Sequence, residues 1–122
     1  MTFDAFTKQL LDHFRLAIPD VYRPPGDYSI AFPTRDSLND FLERHGRRDL
    51  SAQRLERGIS RISLPYEETL QNEESRDLLR AYWNEQYGSA DGALLSFQMI
   101  NRLVEYLLRT NPRIKRALLS TY

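Results

Sequence analysis

The chain contains no cysteine, only two histidines, and five glycines of which no two are adjacent. Without cysteine there is neither a disulfide staple nor thiolate chemistry, a composition that suits a reducing compartment. His13 and His45 fall in different predicted helices, and neither has a second ligand at metal-binding spacing. Asp12 adjoins His13, but neighbours on a helix point apart. Both histidines are therefore read as surface or structural residues, and no metal or cofactor is expected. A glycine-rich phosphate loop and a nucleophile motif are also missing, so the chain is read as not an enzyme.

Long apolar runs are absent as well. No stretch approaches the roughly 20 apolar residues that a membrane span requires. Residues 1–18 interleave Asp4, Lys8, Asp12 and Arg15 with apolar positions, which argues against a signal-peptide core and for a cytoplasmic protein with no membrane partner. Net charge is the last absence: 17 basic residues balance 17 acidic ones. That balance removes the simplest electrostatic argument for a protein that binds nucleic acid over its whole surface.

What is present fits one globular domain over residues 1–122, with 41% apolar and 28% charged residues. The neutral total conceals alternating blocks. Arg44, Arg47, Arg48, Arg54, Arg57 and Arg61 stand against Asp49 and Glu56. An acidic block follows, with Glu67, Glu68, Glu73, Glu74, Asp77 and Glu85 against Arg76 and Arg80. Residues 102–116 turn basic again. Arginine supplies fifteen of the seventeen basic residues, and its planar fork of donors suits carboxylates and phosphates.

The fold is expected to be mainly α, a compact bundle of five or six helices. Thr2 can cap a first helix in which Phe3, Phe6, Leu10, Phe14 and Ile18 recur at helical steps until Pro19. Thr34 can cap a second that faces Leu38, Phe41 and Leu42 inward and ends at Gly46, and Ser51 can cap a third bounded by Pro65. Asn72 begins a fourth with the stripe Leu78, Leu79, Tyr82 and Trp83, closed by Gly88. Residues 93–108 read as a helix apolar nearly all round, central or dimeric, so a homodimer is one expectation. Asn111 and Pro112 open a last short helix over 112–120. Tyr28, Ile30 and Phe32 alternate with smaller or polar residues, and the best strand partner is 59–64. That pairing would make the class α+β.

Arg54, Arg57 and Arg61 recur at helical spacing, with Leu55, Ile59 and Ile62 at complementary positions, so one segment is basic on one side and apolar on the other. A strand at 59–64 would instead send Arg61 to a different face from Arg57. Glu73 and Asp77 could share a helix face, but Glu73 and Glu74 occupy a first turn, where the helix dipole favours negative charge. Tyr82 and Trp83 are assigned to the core, while Arg80 and Tyr87 are expected to be exposed. These features predict a non-catalytic protein-binding module, such as an inhibitor, immunity factor, adaptor or assembly chaperone. Arg47, Arg48, Arg54, Arg57, Arg61, Arg80 and Tyr87 are its candidate partner-binding residues. The alternative is a small DNA- or RNA-binding regulator, because the order helix, Gly46 turn, arginine-rich helix follows a helix-turn-helix reader. Against it stand the bulky Phe41 and a turn lengthened by Arg47, Arg48, Asp49 and Leu50.

Overall fold

The computed structural model describes residues 3–121, within which seven α-helices and one pair of short strands alternate. The cap expected of Thr2 lies outside the described residues. Helix α1 (Phe3–Phe14) buries Thr7, Leu10 and Leu11. Phe3, expected on the apolar stripe, is exposed. The chain leaves α1 through a 3-10 turn (Arg15–Ala17), and Ile18 is fully buried beyond it. Two arginines tie the proline-rich loop to this turn. Arg15 donates to the Pro24 carbonyl at 3.1 Å, while Arg23 donates to the carbonyls of Ile18 and Leu16 at 3.0 and 3.1 Å.

Four of the helices that follow start where local side chains satisfy the free N–H groups of a first turn. For α2 (Arg35–Arg44), Thr34 Oγ1 accepts from the Ser37 amide at 3.1 Å and Ser37 Oγ accepts from the Thr34 amide at 2.9 Å. Leu38, Phe41 and Leu42 face the core, and Gly46 takes the left-handed φ of 67° just beyond the helix. Ser51 caps α3 (Ala52–Arg61), which buries Leu55 and Ile59. A single turn, α4 (Tyr66–Thr69), precedes α5 (Glu73–Tyr87), capped by Asn72 and burying Leu78, Leu79, Tyr82 and Trp83.

The strand pairing differs from expectation. Strand β1 (Tyr28–Ala31) pairs in parallel with β2 (Ala93–Ser96), Tyr28 opposite Ala93 and Ala31 opposite Ser96. Parallel neighbours need a long crossover, and α2 to α5 provide it. Residues 59–64 are therefore no partner for β1. Their first three residues close α3, Ile62 is extended and the chain bends at Leu64, with two arginines donating to the Ile62 and Leu64 carbonyls where a strand neighbour would. Arg102 donates to Ile62 at 3.3 Å, and Arg109 donates to Leu64.

The apolar run at 93–108 also divides. Ala93–Ser96 is strand, and helix α6 (Phe97–Thr110) begins only after Ser96, whose hydroxyl accepts from the Met99 amide at 3.3 Å. A short apolar run is compatible with either element, and the strand neighbour decided this one. Helix α6 packs against α1, α3, β2 and the last helix, α7 (Pro112–Thr121). Met99, Ile100, Leu103 and Leu107 are fully buried. Phe97 and Leu108 are half-buried, so most of its apolar circumference is covered within the chain.

Where α2 meets α5, Arg44 Nη1 donates to Glu85 Oε1 at 2.6 Å and His45 also contacts that carboxylate. Partial burial pushes the Glu85 carboxyl up, but the two hydrogen bonds and nearby positive charge outweigh it and hold the group below its ordinary value. A lowered folded value means stability present above the unfolded pKa and lost as pH falls through the folded one. The stability difference between wild type and Glu85→Gln should accordingly be full at about pH 6 and shrink toward about pH 3. Urea midpoints of both proteins at the two pH values measure this, and a difference independent of pH would contradict it.

Candidate functional site

Helix α3 places Arg54, Arg57 and Arg61 on one exposed face, because the segment stays helical through Arg61. At about 100° per residue, Gly58 falls between this arginine row and the apolar stripe of Leu55 and Ile62. Beyond the stripe lies a groove of about 540 Å³, walled by Leu50, Arg54, Leu55, Gly58, Arg61 and Ile62 on one side. Ser63, Thr69 and Leu70 form its end, and Ser75, Leu78 and Leu79 of α5 form the opposite wall. Its volume lies in the range of about 300–1,000 Å³ typical of ligand sites. The lining is mainly apolar, with Arg54 and Arg61 as its charged members.

The basic residues divide by partner. Arg47 pairs with Asp49 through two contacts of 3.2 and 3.3 Å, and Arg48 pairs with Glu43 at 3.0 Å. Arg80 contacts Asp77 at 3.2 Å and Glu67 at 3.6 Å. Arg44 and His45 take Glu85. Among the described residues, Arg54, Arg57 and Arg61 form no salt bridge. Arg54 acts on Asp49 only through space, helping to lower that carboxylate's pKa after the larger effect of Arg47. Within the acidic block at 67–85, Glu67, Asp77 and Glu85 are engaged by Arg80, Arg44 and His45, and the α3 row faces solvent.

Tyr87, expected to be exposed, is half-buried, and its hydroxyl is committed. It donates to the Tyr22 carbonyl at 2.6 Å and accepts from Trp83 Nε1 at 3.2 Å. Tyr22 in turn donates to Glu67 and stacks edge-on against Tyr66. Burial first, and the Glu67 contact second, pushes the Tyr22 hydroxyl well up; burial does the same for Tyr87. Tyr82 is pushed up to about 12 by burial and by the Glu56 charge. These phenols stay protonated at neutral pH, the opposite of an activated base, and the cluster knits α4 and α5 to the loop after α1. Arg80 remains exposed at the edge of this cluster.

Sequence reasoning found the arginine row but missed the groove. Two signals were available: a glycine in mid-helix, and Ile62, Leu64 and Leu70 in a segment too short and too proline-bounded for a helix. Gly58 has no steric need to be glycine, since an added Cβ would meet nothing within 4 Å. Its φ is not positive either. Gly58→Ala should therefore raise stability by about 0.5–1 kcal/mol, the ordinary helix-interior difference. Thermal melting checks this, and a lowered Tm would show that the glycine serves the fold.

Compared with known protein families, curated proteins and solved structures, the chain matches none. No helix among the described residues is long and apolar enough to cross a membrane.

Proposed function

We propose that this chain is a non-catalytic protein-binding module, an inhibitor or adaptor in kind, that engages an acidic surface of its partner through the exposed face of α3. The observation that carries the reading is the division of these arginines: among the described residues, Arg47, Arg48 and Arg80 have carboxylate partners, and Arg54, Arg57 and Arg61 have none. An arginine row without internal partners, beside an apolar groove, supplies both the charge that steers association and the apolar area that holds it. The tyrosine cluster is internal under this reading and takes no part.

The test is affinity capture from nuclease-treated native lysate with wild type and with Arg54→Glu/Arg57→Glu/Arg61→Glu as baits. Proteins retained by wild type should be lost from the reversed bait while its circular dichroism is unchanged. Equal capture by both baits would remove α3 from consideration. Capture seen only from a parallel lysate left without nuclease would favour a nucleic-acid partner, whose binding should also weaken steeply with salt on random duplex.

A further inference from the structure

We propose that the groove beside α3 receives one acidic amphipathic helix of the partner, with two carboxylates on Arg54 and Arg61 and a large apolar side chain over Gly58. The proposal rests on α3 being a protein-binding face and names what occupies it. Arg54 and Arg61 stand two helical turns apart, about 10 Å along the axis. Both line the groove, whereas Arg57 does not. A partner helix laid along α3 in either direction presents acidic residues at the same separation when they are seven positions apart. The residues three and four positions after the first acidic one lie between them on that face, opposite Gly58.

Gly58 makes this seat. Its position is helical, open and sterically undemanding, so the absent side chain leaves space above the helix rather than relieving a contact within the fold. The floor and far wall around that space are Leu55, Ile62, Leu70 and Leu78, apolar surface that an apolar side chain would cover and a phosphate backbone would not. An amphiphile with one anionic head would use one of the two matched arginines and leave the other unpaired. A helix with two carboxylates satisfies both with charge-assisted hydrogen bonds.

Selection from a phage-displayed library of randomised helical peptides of about four turns tests the inference, followed by fluorescence anisotropy with the enriched peptides. Enriched sequences should carry Asp or Glu seven positions apart, with Leu, Ile or Phe between them. Their affinity should fall about tenfold or more both for Arg54→Gln/Arg61→Gln and for Gly58→Phe, the latter checked to melt as wild type does. Peptides without the acidic pair, peptides that bind Gly58→Phe as tightly as wild type, or no enrichment of any helical peptide would overturn the proposal. Peptides that ignore Gly58→Phe but lose affinity for the arginine variant would leave the wider reading of α3 standing. Peptides indifferent to both variants would overturn the two together.

Discussion

Replacing Trp83 by alanine is expected to cost about 3–5 kcal/mol of unfolding free energy, a large share of the about 5–15 kcal/mol that holds a domain of this size. Trp83 is 2% exposed and is the largest of the fully buried side chains. Its removal leaves a cavity lined by residues fixed in other elements, which cannot all collapse inward. It also deletes the indole N–H that donates to Tyr87, the hydroxyl that anchors α5 to the loop after α1. Trp83→Phe keeps most of the ring area and loses the hydrogen bond, so it should cost less than half as much. Urea unfolding of the three proteins measures the series; an alanine variant within about 1 kcal/mol of wild type would place Trp83 at a yielding site.

The second large effect is expected from Arg102→Met/Arg109→Met. Methionine keeps the apolar stem of each arginine while removing the donors to the Ile62 and Leu64 carbonyls. An orphaned buried carbonyl costs about 1–3 kcal/mol, and water can reach one of these, because the Arg109 side chain is 45% exposed. A total of about 2 kcal/mol is expected. The loss should be local: amide hydrogen exchange should quicken in 62–70, the segment that ends the groove, before it quickens in α6. Unchanged exchange in 62–70 would mean that the apolar side chains of Ile62 and Leu64 hold the segment alone.

The sequence was readable where the physics is local. Thr34, Ser51 and Asn72 cap helices through bonds to amides three residues on, so their roles could be seen in the chain itself. The helical repeat of Leu55 and Ile59 likewise placed the arginine row on one face. Non-local choices were hidden. Alternation in 28–32 announced a strand but could not say that its neighbour lay in 93–96 instead of 59–64, because apolar residues occur at suitable spacing in both. Ala93, Leu94 and Leu95 fitted a helix by hydropathy, and only pairing with β1 made them a strand. The groove combines α3, the turn after it and α5, so no single segment carried its pattern. Tyr87 looked like an exposed interface residue because the carbonyl it bonds, that of Tyr22, lies far away in the sequence.

Whether Arg54, Arg57 and Arg61 serve the fold or something outside it is decided most directly by urea unfolding of Arg54→Gln/Arg57→Gln/Arg61→Gln. Glutamine removes the charges and keeps good helix propensity; only Arg61, in the last turn of α3, should lose a favourable dipole interaction of about 0.3–1 kcal/mol. The variant is predicted to unfold within about 1 kcal/mol of wild type. A loss of about 2 kcal/mol or more would show that these arginines pair with the acidic block at 67–85 and are not held free for a partner.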